Sequence, residues 1–267
     1  MNEVIELIDK YEQSIAGVRK KLLLPDLSSD QSLTLENYCI ALKHKLKLIM
    51  FVLNIIERFD WNVLHGFDEF KKTIKETPTD NYFLESDVIN ADFPESKYMM
   101  DFIHIVLMEM FSLIISSVGV LALIYWVSLD LQVIDKKGKE IKDKRLITIN
   151  RILKALPSGV DILKRELEKH IISDKWFLDL KNIRNACEHD DHTQIFVWSD
   201  KRKAALGNQP SGVPLINEDL FSNPLNKHER YVTKYPVLIY QKLNLLLNET
   251  FTVLLLTVAS NVGSRIV

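Results

Sequence analysis

Three side chains suited to phosphate chemistry stand close together in "IRNACEHDD", residues 183–191: Arg184, Asn185 and His189. A guanidinium offers a rigid fork of donors that matches phosphate oxygens and can stabilise the charge of a phosphoryl transition state. An imidazole held near neutrality can give or take a proton. On a helix, positions 185 and 189 are four apart and share a face, with Arg184 one step round. A helix C-terminus favours the protonated imidazole, and Glu188, Asp190 and Asp191 add to that. The same acids permit a plainer arrangement, in which Arg184 pairs with Glu188 and His189 caps helix carbonyls.

The element that must position these groups is a helix over about 173–189. Trp176, Leu180, Ile183 and Cys187 step by four, three and four, an apolar stripe that faces a core. Ser173 and Asp174 supply cap and first-turn acid. Elsewhere the periodicity predicts helices over 3–23, stopped by Pro25, and over about 33–59, with a loop "LPDLSSDQS" between them. A shorter amphipathic helix is expected over about 66–76. An irregular stretch lies between Pro78 and Pro94, and a long apolar helix runs over about 97–133. A charged turn centres on Gly138. Helices follow at about 144–155 and 158–171, a weak strand in "TQIFVW", a long excursion over 200–235, and a last helix from Pro236 to about Asn261. The expected fold is all-α, an antiparallel helical bundle with additional N-terminal helices and a long loop before the last helix. Residues 1–100 read as a helical extension packed on a bundle formed by 101–267, or the whole as one continuous domain.

Composition agrees. Eight glycines and eight prolines in 267 residues, with 47 % apolar residues, favour helices over a turn-rich β fold. A net charge of −2 gives no global pull toward nucleic acid, so any such site must come from local patches. Two cysteines, Cys39 and Cys187, are too few for a disulfide framework and fit a reducing, cytoplasmic setting. The acidic, amphipathic start "MNEVIELIDKYEQ" is unlike a secretory signal. Residues 110–129 carry no formal charge and are long enough to span a bilayer, with basic residues following. A helix buried on all sides in a bundle has the same appearance. His104 and Glu109 continue that helix, so the buried reading is preferred and a membrane is not expected as a partner.

The run "IRNACEH" resembles the motif of the HEPN superfamily: Arg, a polar residue, three residues, then His. The resemblance rests on that motif, its helix and the all-α setting, within about 102–262, and suggests an enlarged member of bacterial type. Members are helical bundles, commonly homodimers, and many are metal-independent endoribonucleases of defence, toxin–antitoxin or stress systems. The resemblance implies that Arg184 binds the scissile phosphate and that His189 transfers a proton as the RNA 2′-hydroxyl attacks. It implies that Asn185 orients the site, and that two protomers build one cleft. RNA, a second copy of the chain, and an antitoxin or other partner protein are the partners it implies; no cofactor is expected. A non-catalytic HEPN-like module binding a nucleotide or a partner protein is the alternative. Glu188, four residues after Arg184, and the acids beyond it are a departure, because they oppose an RNA backbone.

Two further signals are weaker. "CEHDDH" holds Cys187, His189, Asp191 and His192, all metal-ligand types, but one turn cannot wrap a tetrahedral ion with them. Partners such as His104, His170 or His228 would be needed, and no metal site is expected. Lys136, Lys137 and Lys139, and the run Lys201, Arg202 and Lys203, could steer RNA phosphates or be solvated turns. His44 and His65 stand alone and read as surface or core residues. No phosphate-cradling glycine loop, nucleotide fingerprint or nucleophile elbow occurs.

Overall fold

The structure, a computed structural model, describes residues 2–58, 82–83, 94–157, 160–189, 196–198, 215–222, 225–226 and 228–259. Among them are seven helices: α1 (Asn2–Lys21), α2 (Ser29–Arg58), α3 (Pro94–Ser128), α4 (Ile149–Ala155), α5 (Asp161–Leu167), α6 (Trp176–His189) and α7 (Tyr235–Ala259). The protein is all-α, as its periodicity predicts, with one small antiparallel sheet of β1 (Tyr82–Phe83), β2 (Phe196–Trp198) and β3 (Leu215–Ile216) in the order β1-β2-β3. The strand expected in "TQIFVW" is β2. The helix expected over 66–76 lies outside the described residues.

Two compact units divide the chain: Met1–Ile49 with Leu113–Trp176 and Tyr240–Val267, and Met50–Ser112 with Phe177–Ile239. In the first, α1 buries Val4, Ile8, Tyr11 and Val18, the three-and-four spacing of an amphipathic helix. The Tyr11 ring lies 5.1 Å from Phe251 of α7, and Tyr125 of α3 lies 6.2 Å from the same ring. Tyr11 donates its hydroxyl to Ser128 Oγ at 2.6 Å, so this buried phenol is satisfied. Lys43 of α2 pairs with Asp9 of α1 at 2.6 Å. In the second unit, Tyr235 packs edge-on against Phe111 and Phe221 at 6.0 and 5.2 Å. Arg230 bonds the Ile216 carbonyl and pairs with Glu218, fixing the chain beside β3.

The helix ends are where simple periodicity falls short. α2 begins at Ser29, four residues before the expected start, because "SSDQ" is a capping box rather than loop. Ser28 Oγ accepts from the Gln31 amide, and Gln31 Oε1 accepts from the Ser28 amide. α1 ends on Leu23 in the left-handed conformation at φ 57°, with Leu24 N–H donating to Arg19 O and Leu23 N–H to Lys20 O. That is a Schellman stop made without glycine. α3 ends the same way through Asp130 at φ 50°, with Leu131 N–H donating to Trp126 O. It therefore stops at Ser128 although the apolar run continues.

Among the described residues α3 is the one helix long and apolar enough to cross a membrane. Within His104–Ser128 an 18-residue segment has a mean hydropathy of 2.2, and half of that segment is buried within the protein. Leu107, Met110, Phe111, Ile114, Val118, Leu121, Ile124 and Tyr125 are buried, the pattern a core helix requires.

Between α5 and α6 the chain departs from α geometry. Residues Glu168–Ser173 form a π turn, and the Asp174 amide donates to Lys169 O, five residues back. Lys175 then takes φ 58° and α6 begins at Trp176. The cap expected at Ser173 is thus the end of the π turn. Asp174 instead pairs with Lys242 of α7 at 2.6 Å.

Candidate functional site

α6 forms because Trp176, Phe177, Leu180 and Ile183 recur on one side, and all four are buried. Asp179, also buried, accepts a hydrogen bond from the Ser222 amide at 2.8 Å. Its charge adds to the effect of burial in pushing the Tyr235 hydroxyl well above its ordinary pKa.

With the core stripe so placed, the helical phase fixes the rest. Each residue turns about 100° further round the axis. Arg184 therefore flanks the stripe, and Asn185 lies on the far side. Arg184 is accordingly half-buried, with its Nε sealed from solvent, while Asn185 is exposed. Position 189 is the last of α6, one turn beyond Asn185. The side chains of Cys187, Glu188 and His189 lie outside the described residues, as do residues 190–195 entirely. The alternative pairing of Arg184 with Glu188 and the metal reading of "CEHDDH" fall there too.

Lys181 is a member of this face that the motif alone does not reveal. It sits four residues after Phe177 and three before Arg184, with its ammonium 4.3 Å from the centre of the Phe177 ring. Burial lowers its pKa from the ordinary lysine value. The signal was present in the sequence as the spacing Phe177, Lys181, Arg184, which places a second cation beside the guanidinium. α6 thus presents two partly desolvated cations and an exposed amide over its last three turns.

The expected basic patches divide. Lys136, Lys137 and Lys139 are exposed on a tight turn closed by Gly138 at φ 77°, where the Asp135 amide donates to Lys139 O. The Asp135 carboxylate accepts from the Lys137 and Lys139 amides, and those bonds, that of Lys139 first, hold its pKa below the usual carboxylate value. This turn belongs to the first unit, whereas Lys181, Arg184 and Asn185 belong to the second. Lys201, Arg202 and Lys203 lie outside the described residues.

Of the histidines weighed as metal partners, His104 is half-buried on α3 and His228 is exposed with its ring 5.9 Å from that of Tyr231. His170 is buried in the π turn, bonded to Glu249 at 2.6 Å.

No family model, curated protein or solved structure matches the chain.

Proposed function

We propose that the protein is a metal-independent endoribonuclease of HEPN type, in which the RNA 2′-hydroxyl attacks the adjacent phosphate. The observation that carries this reading is the motif Arg184, Asn185, three residues, His189 on the final turns of α6, a helix anchored by Trp176, Leu180 and Ile183. Arg184 binds the phosphate and stabilises its developing charge, and His189 moves the proton. Asn185 orients the neighbouring groups, and Lys181 adds a second positive charge. Two protomers contribute to one cleft, and the setting is a cytoplasmic defence, toxin or stress system. Lys136, Lys137 and Lys139 would make further phosphate contacts with RNA.

A second reading, a non-catalytic HEPN-like module binding a nucleotide or partner protein, is favoured by one observation. Arg184 Nε is closed off from solvent, which limits how far the guanidinium can reach. RNA cleavage with EDTA present separates the two. Under the nuclease reading the wild type leaves 2′,3′-cyclic phosphate ends, and Arg184→Ala and His189→Ala, both folded, do not. A folded dimer inert on varied RNAs would favour the binding module.

A further inference from the structure

The π turn between α5 and α6 gathers a set of side chains that the motif does not use. Glu166 closes α5, Lys169 and His170 lie within the turn, and Glu249 reaches them from α7. His170 Nε2 is 2.6 Å from Glu249 Oε2, and Lys169 Nζ lies 2.9 Å from that same oxygen and 3.3 Å from Glu166 Oε2. One ligand atom each from Glu166, His170 and Glu249 falls within 4.8 Å of the other two.

A histidine that merely needed a partner would be satisfied by one carboxylate. Here a second carboxylate converges on the same point, and the ring is 2 % exposed, so two negative groups surround one buried imidazole. The cation that bridges both carboxylates is Lys169, whose side chain is 55 % exposed on a flexible stem, while the more exposed Arg165 lies 3.5 Å from the other Glu166 oxygen. Such a half-exposed ammonium is well hydrated and leaves at little cost.

We propose that Glu166, His170 and Glu249 form a binding site for a divalent transition-metal ion of the zinc class, with Lys169 as the cation that occupies it otherwise. One imidazole nitrogen and two carboxylate oxygens form a mixed donor set suited to Zn²⁺, and three protein ligands leave a fourth position for water. Ligands at about 2.0–2.1 Å from a tetrahedral ion lie roughly 3.4 Å from one another. The cluster therefore needs the 2.6 Å His170–Glu249 contact to open, with Lys169 swinging out and the three ligand atoms, all within 4.8 Å of one another, drawn to that spacing. Bound metal would staple the π turn to α7, two turns along α7 from the Lys242 that pairs with Asp174. His170 Nδ1 is buried without a hydrogen-bond acceptor among the described residues. Metal on Nε2 puts the ring proton on that nitrogen, so the site lacks the roughly 10–100-fold in affinity that an outer hydrogen-bond acceptor adds. The site is independent of the nuclease reading.

The test is calorimetric titration of Zn²⁺ into the intact, metal-stripped protein, with Co²⁺ absorbance reporting the geometry. The wild type should take up one ion per chain and melt at a higher temperature when loaded. Glu249→Gln and Glu166→Gln should each weaken binding by at least about tenfold, and Lys169→Met should tighten it by about as much. His170→Ala risks unfolding because the ring is buried; Glu166→Gln, which leaves the His170–Glu249 bond in place, keeps the question decidable. Two results would overturn the site. One is no uptake at about 0.1 mM Zn²⁺ by either wild type or Lys169→Met; the other is uptake that all three substitutions leave unchanged, which would locate the ion elsewhere.

Discussion

Arg19 Nη1 donates to the main-chain oxygen of Ser128 at 2.8 Å from a side chain only 1 % exposed. Its Nε donates to the Pro25 carbonyl at 2.7 Å, so one guanidinium ties the loop after α1 to the last turn of α3. A cation there also opposes the negative end of the α3 dipole. Replacing Arg19 by Met keeps the stem but orphans both carbonyls. Urea denaturation should show a loss of about 2–4 kcal/mol. Arg19→Lys should recover only part of it, because a single ammonium cannot span both acceptors. A loss under about 0.5 kcal/mol for Met would show that water serves those carbonyls instead.

Leu23 stands at φ 57° with 92 % of its surface exposed. It bears the steric cost of the left-handed region with no packing in return. Leu23→Gly should therefore stabilise the protein by about 1 kcal/mol in the same assay, the gain reduced somewhat by glycine's freer unfolded chain. Leu23→Ala retains the Cβ and should change little. A neutral or destabilising glycine would show that the entropy of the unfolded chain outweighs the left-handed strain at Leu23.

What could be read from the sequence followed from local period, and what could not came from contacts far apart along the chain. The apolar spacing of α1, α2, α3, α6 and α7 places each helix, and the position of Arg184 beside the stripe Trp176, Leu180, Ile183, with Asn185 opposite it, follows from helical phase. The apolar run does not mark the end of α3, because Leu129, Leu131 and Val133 continue it and are buried although the chain has already left the helix. Arg19 sits more than a hundred residues away, so its cap on α3 leaves no local trace. The π turn was likewise hidden, since a shift to five-residue bonding barely disturbs a helical pattern. The meeting of His170 with Glu249, 79 residues apart, depends on how α7 packs. The start of α2, by contrast, is written locally, in the capping box of Ser28 and Gln31.

Cys39 is fully buried on α2, and burial, with the Glu12 charge in support, pushes its thiol up to about 12. In a Cys187→Ser background the native protein should give no fast reaction with a thiol reagent at pH 8, and one thiol once denatured. The linkage sign follows from the raised value. The neutral thiol's contribution is fully present below the ordinary pKa of 9.0 and is lost as pH rises toward about 12, because the unfolded chain ionises first. Between those limits wild type should lose stability faster than Cys39→Ala, by up to about 1.4 kcal/mol per pH unit, the value for one proton. Parallel slopes would mean that the thiol is solvated in the fold.

Lys181 offers the sharpest check on whether α6 binds RNA as proposed, because its position on Phe177 admits both a structural and an electrostatic use. As a phosphate contact it would release counterions on binding. Lys181→Ala should then weaken affinity evenly across RNA sequences and reduce the slope of log affinity against log salt by about 0.7, the value for one contact on a single strand. Lys181→Arg should preserve the slope, since the charge and the stacking on Phe177 both persist. As packing alone, Lys181→Ala would lower stability and leave the salt slope untouched. Measuring the slope for Arg184→Ala alongside separates the two residues. Equal drops would place Lys181 and Arg184 on the same backbone path, whereas a drop for Arg184 alone would confine the phosphate to the motif.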